Sequence, residues 1–116
     1  MKITIWGTRG SYPVCRQEVM KYGGNTTCLS IEVGDQLFII DGGTGIARLR
    51  RHLLHHQKQQ NCQLFLTHPH WDHVMGLPFF SPFYNPGYTV DIYGSDSENK
   101  RLEEIFSFQH KEQSFP

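Results

Sequence analysis

Four potential metal ligands lie close together in the segment 66–73, which reads Leu-Thr-His-Pro-His-Trp-Asp-His. His68 and His70 alternate along an extended chain, so both side chains can point towards one position. Asp72 and His73 follow where the chain turns towards a helix, and they can point towards a second position nearby. Neutral imidazole and carboxylate suit zinc, manganese or iron. Two adjacent metals can activate water, because they lower its pKa from about 16 towards 7. The pattern therefore predicts a hydrolytic metal centre, and a chance cluster of histidines is the alternative.

The elements that must position these ligands follow from hydrophobic periodicity. The apolar residues of 36–40 are nearly continuous, which predicts a strand buried on both faces. Ile46, Leu49, Leu53 and Leu54 recur at helical spacing, with Thr44 as the expected N-cap. Strands are predicted at 2–6, 26–33, 36–40, 63–67 and 89–93, and helices from 44 to about 58 and from 97 to 108. This order predicts an α/β (α+β) fold with a mixed sheet and helices packed on it.

Composition excludes several classes of protein. The chain has 116 residues, which is enough for one domain with a modest core. Its formal net charge is +0, so no overall field attracts nucleic acid or anionic lipid. It lacks an apolar run of the roughly 18 residues that a membrane span needs, and its first residues do not resemble a signal peptide. Cys15, Cys28 and Cys62 form no CxxC pair, which favours small buried residues and a reducing cytoplasm.

The histidine segment also resembles a known family. His68-x-His70-x-Asp72-His73 is similar to the signature of the metallo-β-lactamase superfamily. Asp41-Gly42-Gly43-Thr44-Gly45, after a buried strand, resembles the earlier aspartate motif of that superfamily. The segments 7–11 and 22–28 resemble the opening of one subgroup, the hydrolases akin to ribonuclease Z and the cyclic-phosphate phosphodiesterases. The resemblance implies that residues 1–116 form the first αβ half of a four-layer αβ/βα sandwich and that the C-terminal half is missing.

The resemblance also implies a role for each matching residue. His68 and His70 would bind the first metal ion, and Asp72 and His73 the second. Asp72 would in addition act in catalysis, by orienting the attacking hydroxide. Asp41 would hold the histidine loop by hydrogen bonds, whereas an ordinary turn aspartate is the alternative. Arg9 would face the site and bind a substrate phosphate, with a solvated loop arginine as the alternative. Two zinc ions are implied in the complete site, with manganese or iron as other candidates.

The chain departs from the family pattern in its number of ligands. A catalytic zinc generally has three protein ligands and a water, but this chain supplies two for the first metal. The family adds another histidine, a bridging aspartate and a last histidine further along the chain. His110 comes too soon after the motif to match that third histidine. The aromatic stretch 77–84 is also hard to cover in a half-domain, so we expect the isolated chain to self-associate, and a homodimer is one form of this.

The histidine segment and the resemblance together imply a metal-dependent hydrolase that uses metal-bound hydroxide. The resemblance of the opening segments, together with Arg9, implies a phosphodiester substrate, either RNA or a cyclic nucleotide or phosphate. The isolated chain is expected to be inactive. The alternative is a non-catalytic half-domain that binds metal weakly or needs a partner chain. A third hypothesis, a nucleic-acid-binding module, rests on the basic helix with Arg48, Arg50, Arg51 and Lys58, although such a face is usually only solvated. His52 and His56 are four apart on the same helix, where a polar surface is favoured over a metal pair.

Overall fold

A computed structural model describes residues 1–56, 61–95, 103, 104 and 107 of the chain. The strands are β1 (Lys2–Gly7), β2 (Cys28–Val33), β3 (Gln36–Ile40), β4 (Asn61–Leu66) and β5 (Thr89–Gly94). The α-helices are α1 (Ile46–His56) and α2 (Trp71–Val74), and short 3-10 helices cover Gln17–Val19, Leu77–Phe79 and Ser81–Tyr84. The predicted strands are therefore present. The third has the predicted bounds, and the ends of the others differ by at most two residues.

The five strands form one mixed sheet in the order β1-β2-β3-β4-β5. The pairs β1–β2 and β2–β3 are antiparallel, whereas β3–β4 and β4–β5 are parallel. Helix α1 makes the crossover between β3 and β4, as a parallel pair requires. The mixed α/β fold predicted from the sequence is confirmed. The carboxyl ends of β3 and β4 lie side by side, and the two chemically important loops leave from them.

The hydrophobic core lies between α1 and one face of the sheet. Ile46, Leu49 and Leu53 of α1 are buried. They pack with alternate residues of the central strands, with the end of α2 and with the segment after it, namely Cys28, Leu37, Ile39, Cys62, Leu64, Leu66, Val74, Leu77 and Phe80. Part of the aromatic stretch 77–84 is thus ordinary core, while Phe79 and Tyr84 are exposed.

Two details of α1 differ from the sequence prediction. Leu54 is exposed, because eight residues of helix turn it about 80° away from Ile46. The helix begins at Ile46, and the Thr44 hydroxyl accepts a hydrogen bond from the Thr26 backbone N–H at 2.9 Å. Thr44 N–H in turn donates to the Thr26 hydroxyl at 2.8 Å. Thr44 therefore joins the start of α1 to the segment before β2.

The opposite face of the sheet is open, so the predicted burial of β3 on both faces is wrong. Leu37 and Ile39 are buried under α1, but Phe38 and Ile40 are only half-buried. On the same open face, the Phe65 ring stacks on Tyr93 with a centroid separation of 4.9 Å. Ile3 and Ile5 of β1 are 56% and 61% exposed there. This face is an apolar surface without a cover in the described part of the chain.

Several predictions fall on residues that the structure does not describe. The predicted helix 97–108 lies outside the described residues except at 103, 104 and 107, which are helical. Lys58 and His110 lie outside them as well. In the described ranges, no helix is long and apolar enough to cross a membrane.

Candidate metal centre

The histidine loop leaves β4 at Leu66 and runs as an extended chain into the short helix α2. His70 precedes the helix with φ −61° and ψ 147°. The His68 and His70 rings have centroids 4.5 Å apart, and the His68 and His73 rings 4.0 Å apart. The extended strand exit thus brings together the alternating histidines, and the first turn of α2 adds His73 to them.

Asp41 lies at the end of β3, next to the origin of this loop. Its carboxylate is buried and accepts a hydrogen bond from the Thr67 backbone N–H at 2.9 Å. The other oxygen, Oδ2, lies 2.8 Å from His73 Nδ1. Asp41 adopts a left-handed φ of 60°, which aspartate tolerates better than most residues. These contacts hold both ends of the histidine loop from one carboxylate.

The hydrogen bonds determine where the imidazole protons lie. An ionised carboxylate can only accept, so the Thr67 hydroxyl donates to Asp41 at 2.9–3.0 Å. The hydroxyl oxygen then accepts from His68 Nδ1 at 3.0 Å. His73 Nδ1 donates to Asp41 Oδ2 in the same way. In the neutral form, His68 and His73 therefore both present an unprotonated Nε2, which is the atom that a metal ion requires.

Asp72 lies beside His73 and is held by the loop after β1, residues 8–13, which is called the first glycine loop. The Ser11 backbone N–H donates to Asp72 Oδ2 at 2.9 Å. This hydrogen bond lowers the pKa of Asp72 below its usual value, partial burial opposes it, and the neighbouring His73 and His68 add to the lowering. The carboxylate form is therefore the stable one near neutral pH.

The geometry of these donors can be compared with that of a bound ion. Ligands about 2.0–2.1 Å from a tetrahedral zinc lie about 3.4 Å from one another. His73 Nε2 and Asp72 Oδ2 are 3.5 Å apart, which fits two ligands of one ion. Within the described ranges, however, no group of three or more His, Cys, Asp or Glu side chains is arranged to hold a metal. The loop thus presents pairs of donors that fit part of a coordination shell.

Glycines allow the segment 41–45 after β3, called the aspartate loop, to pack against α2. The Gly42 backbone N–H donates to the His73 carbonyl at 2.6 Å, and Gly76 N–H donates to the Gly42 carbonyl at 2.8 Å. A Cβ atom on Gly43 would lie 2.3 Å from the Asp72 carbonyl oxygen and 2.4 Å from the Thr26 hydroxyl. A side chain at this position would push α2 away from Asp41.

Arg9 lies in the same loop as Ser11, but its side chain is occupied within that loop. Its Nε donates to the Tyr12 carbonyl at 2.9 Å, and its guanidinium lies 5.1 Å from the centre of the Tyr12 ring. The loop therefore reaches the candidate metal centre through the Ser11 backbone N–H, which donates to Asp72. A role of Arg9 in binding substrate remains a prediction.

The structure adds three observations on neighbours of the site. The Thr67 hydroxyl connects Asp41 to His68. A hydroxyl at the end of a strand, directly before the first histidine, was the available signal. Trp71 is 59% exposed and lies on the outer side of α2. The Ser11 backbone contact had no sequence signal, since backbone N–H groups are common to almost all residues.

The other candidate groups lie elsewhere. The His52 ring packs against Trp6 with centroids 5.4 Å apart, and its Nε2 is 3.9 Å from Glu32. The side chain of His56 lies outside the described part of the structure. Cys28 and Cys62 are buried as expected, whereas Cys15 is exposed. Burial raises the pKa of both buried thiols, to about 12 for Cys62.

Comparison with known proteins identifies the family. The chain is similar to a protein described as "Ribonuclease Z" from Synechococcus sp. (strain CC9311), with 30% identity over 110 residues. The similar region covers 90% of this chain but only 32% of that relative, so the chain spans about a third of its length. No solved structure gives a significant match. A family model described as "Metallo-beta-lactamase superfamily" matches residues 22–107, which include Asp41 and the whole histidine loop. The chain therefore belongs to the metallo-beta-lactamase superfamily.

Proposed function

We propose that this chain carries the first half of the active site of a metal-dependent hydrolase. In this proposal His68 and His70 bind one metal ion, and Asp72 and His73 bind a second. Zinc fits the imidazole and carboxylate donors best, and manganese or iron would also accept them. Asp72 is the catalytic carboxylate, and Asp41 positions the loop.

The observation that carries this proposal is the hydrogen-bond network below the loop. Asp41 and Thr67 hold the Nδ1 protons of His73 and His68, so that both Nε2 atoms are available as ligands. Carboxylates behind metal-binding histidines commonly have this effect. A merely structural cluster would not need two imidazoles fixed in the same tautomer beside an ionised Asp72.

Each protein group has a separate task in the proposed reaction. Metal ions bound here would lower the pKa of a water molecule and stabilise negative charge on the substrate. Asp72 is held by the Ser11 backbone N–H and would orient that water towards the scissile bond. Asp41 is buried and would keep His73 fixed while charge develops nearby.

A phosphodiester, and RNA in particular, is the proposed substrate. The support is the similarity to a protein named "Ribonuclease Z" together with the position of Arg9 in the loop that contacts Asp72. A cyclic nucleotide would present the same bond. The fold alone does not determine the substrate, because one fold hosts many reactions. We further propose that the protein acts in the cytoplasm.

The complete site requires more donors than these two pairs. We propose that a second αβ unit packs on the open face of the sheet and supplies the remaining ligands, so that residues 1–116 form an incomplete domain. The alternative is a non-catalytic half-domain that binds metal weakly or acts with a partner chain. The observation that supports this alternative is that the described ranges contain no cluster of three metal donors.

Hydrolysis assays distinguish these functions. We expect a longer protein that contains this chain to hydrolyse bis(p-nitrophenyl) phosphate and a short RNA when zinc is supplied. The substitution Asp72→Asn should lower kcat by at least about 100-fold, and Asp35→Asn, in an exposed turn, should not. The isolated chain should show no turnover. If the Asp72→Asn variant were as active as the unsubstituted protein, the proposed catalytic role of Asp72 would be contradicted. Turnover by the isolated chain would contradict the need for further ligands.

A further inference from the structure

A polar cleft beside α1 lies outside the candidate metal centre. Helix α1, β1 and the segment before β2 enclose a cleft of about 570 Å³. It is lined by Trp6, Asn25, Arg48, Arg51, His52 and His55. None of these residues belongs to the metal centre, and none has a task in the proposed reaction.

The cleft concentrates positive charge in a chain that is neutral overall. Its lining contains two guanidinium groups and two imidazoles but no carboxylate. Helix α1 itself, with the sequence IARLRRHLLHH, has no acidic residue to pair with its arginines. In the described ranges, the Glu32 carboxylate lies 3.9 Å from His52 Nε2 and 3.6 Å from Lys2 Nζ. Neither Arg48 nor Arg51 is in an ion pair with a described carboxylate.

The walls of the cleft suit a phosphate that is attached to a nucleoside. Arginine guanidinium groups donate to phosphate in a bidentate way. The Trp6 ring forms one wall against His52, and its indole N–H is held by the Ser30 hydroxyl at 2.9 Å. A fixed aromatic wall beside arginines is typical of surfaces that bind single-stranded nucleic acid.

The cleft is connected to the metal centre through one short segment. The Asn25 carbonyl accepts hydrogen bonds from the N–H groups of Thr8 and Arg9 at 3.1 and 3.0 Å. Two residues further on, the Ser11 N–H contacts Asp72. The loop with Arg9 thus has the cleft at its beginning and the proposed catalytic carboxylate at its end.

We propose that this cleft binds a backbone phosphate of the nucleic acid strand whose scissile bond lies at the metal centre. Arg48 and Arg51 are the donors to that phosphate, and Trp6 supports the adjoining nucleoside. The inference rests on the proposed function for its choice of ligand. It assigns the basic face of α1, which the reaction itself does not use, to substrate binding.

Binding of a fluorescein-labelled single-stranded RNA, measured by anisotropy with a chelator present, tests this inference without metal. The double variant Arg48→Gln/Arg51→Gln should bind about tenfold more weakly. The slope of log affinity against log salt should fall by about 0.7, because the two arginines neutralise one phosphate and each phosphate of a single strand contributes roughly 0.7. Single-stranded DNA should bind about as tightly as RNA, because the proposed contact is to the phosphate and not to the ribose.

A matched control lies on the same helix. Arg50 donates from Nε to the Ser81 hydroxyl at 3.0 Å and does not line the cleft. The RNA affinities of two variants are therefore compared, Arg48→Gln and Arg50→Gln. Each variant removes one positive charge from the same helix. Arg48→Gln should weaken binding and Arg50→Gln should not, while Arg48→Lys/Arg51→Lys should recover part of the salt slope. Circular dichroism confirms that each variant is folded.

The outcomes separate this inference from the proposed function. Equal losses of RNA affinity in Arg48→Gln and Arg50→Gln would overturn the proposal that the cleft binds an RNA phosphate. Stronger binding to anionic phosphatidylglycerol vesicles than to RNA would also overturn it. Loss of zinc binding or hydrolysis is measured on separate samples and tests only the metal centre. RNA binding that depends on Arg48 and Arg51 would support the cleft even if the protein did not hydrolyse RNA.

Discussion

Asp41 is the residue on which the proposed metal centre depends most. Its carboxylate accepts from the Thr67 backbone and hydroxyl and from His73, and it occupies a left-handed backbone position that few residues adopt without strain. Burial makes each of these hydrogen bonds costly to lose. The same residue therefore contributes to folding and determines which imidazole nitrogens are available.

Asparagine at position 41 separates these two contributions. It tolerates the left-handed φ, but its amide NH₂ is a donor only, so either His73 or Thr67 loses its acceptor. We expect Asp41→Asn to lower the free energy of unfolding by about 1–3 kcal/mol and to weaken zinc binding about 10–100-fold. Urea denaturation and zinc titration measure these effects. Asp35→Asn, in the exposed turn between β2 and β3, is the control, and equal zinc affinity of the two variants would contradict the role of Asp41.

At the scale of elements, the site depends on close packing between the aspartate loop and α2. We expect Gly43→Ala to lower the free energy of unfolding by about 3 kcal/mol, because its Cβ would overlap the Asp72 carbonyl and the Thr26 hydroxyl. Gly10→Ala is the control, since a Cβ there meets no atom within 4 Å. Thermal unfolding of both variants measures the difference. If the two substitutions had similar small effects, α2 would not be packed as described.

The buried thiols predict how the core responds to alkaline pH. Burial raises the pKa of Cys62 to about 12 and raises that of Cys28 as well, with Asp91 and Asp41 adding to the respective shifts. Between the ordinary thiol pKa of about 9 and these raised values, the unfolded chain loses protons that the folded chain keeps. The free energy of unfolding should therefore fall as the pH rises above about 9.

Urea denaturation between pH 7 and pH 11 measures this dependence. Cys62→Ala should reduce the alkaline slope, although it also lowers stability at pH 7 by leaving a small cavity. Cys15→Ala is the control, because that thiol is exposed. An unchanged slope in Cys62→Ala would show that other groups cause the alkaline loss.

At the scale of the whole molecule, the open face of the sheet has the largest consequence. Ile3, Ile5 and Tyr93 are each about half exposed or more, next to the half-buried Phe38 and Phe65. An apolar surface of this kind usually marks an interface. In our proposal a second αβ unit covers this face. In the isolated chain the face stays exposed unless another copy of the chain packs on it.

We therefore expect the isolated chain to self-associate at micromolar concentration. Sedimentation velocity should show mass that increases with concentration, and Ile5→Lys, on the open face, should shift the chain towards the monomer. Leu54→Lys is the control, because Leu54 is 53% exposed on α1, away from that face. A compact monomer at all concentrations would argue against the open face as an interface.

Much of this arrangement could be predicted from the sequence, because it depends on local patterns. Alternating apolar residues indicated the strands, and the spacing of the histidines indicated a shared position. The exposure of Phe38 and Ile40 could not be predicted, because a nearly continuous apolar strand does not show whether its second face is covered by the same chain. The contacts of Thr67 and Ser11 depend on how distant loops meet, and no local pattern encodes that.

The most direct test of the account is a zinc titration followed by NMR of the histidine side chains. We predict that His68 and His73 start as the Nδ1–H tautomer and that their signals, with those of His70, move at lower zinc concentration than those of His52 and His55. The substitution His55→Ala should leave that response unchanged. If all histidine signals moved together, or if His52 and His55 responded first, the histidine loop would not be the metal centre.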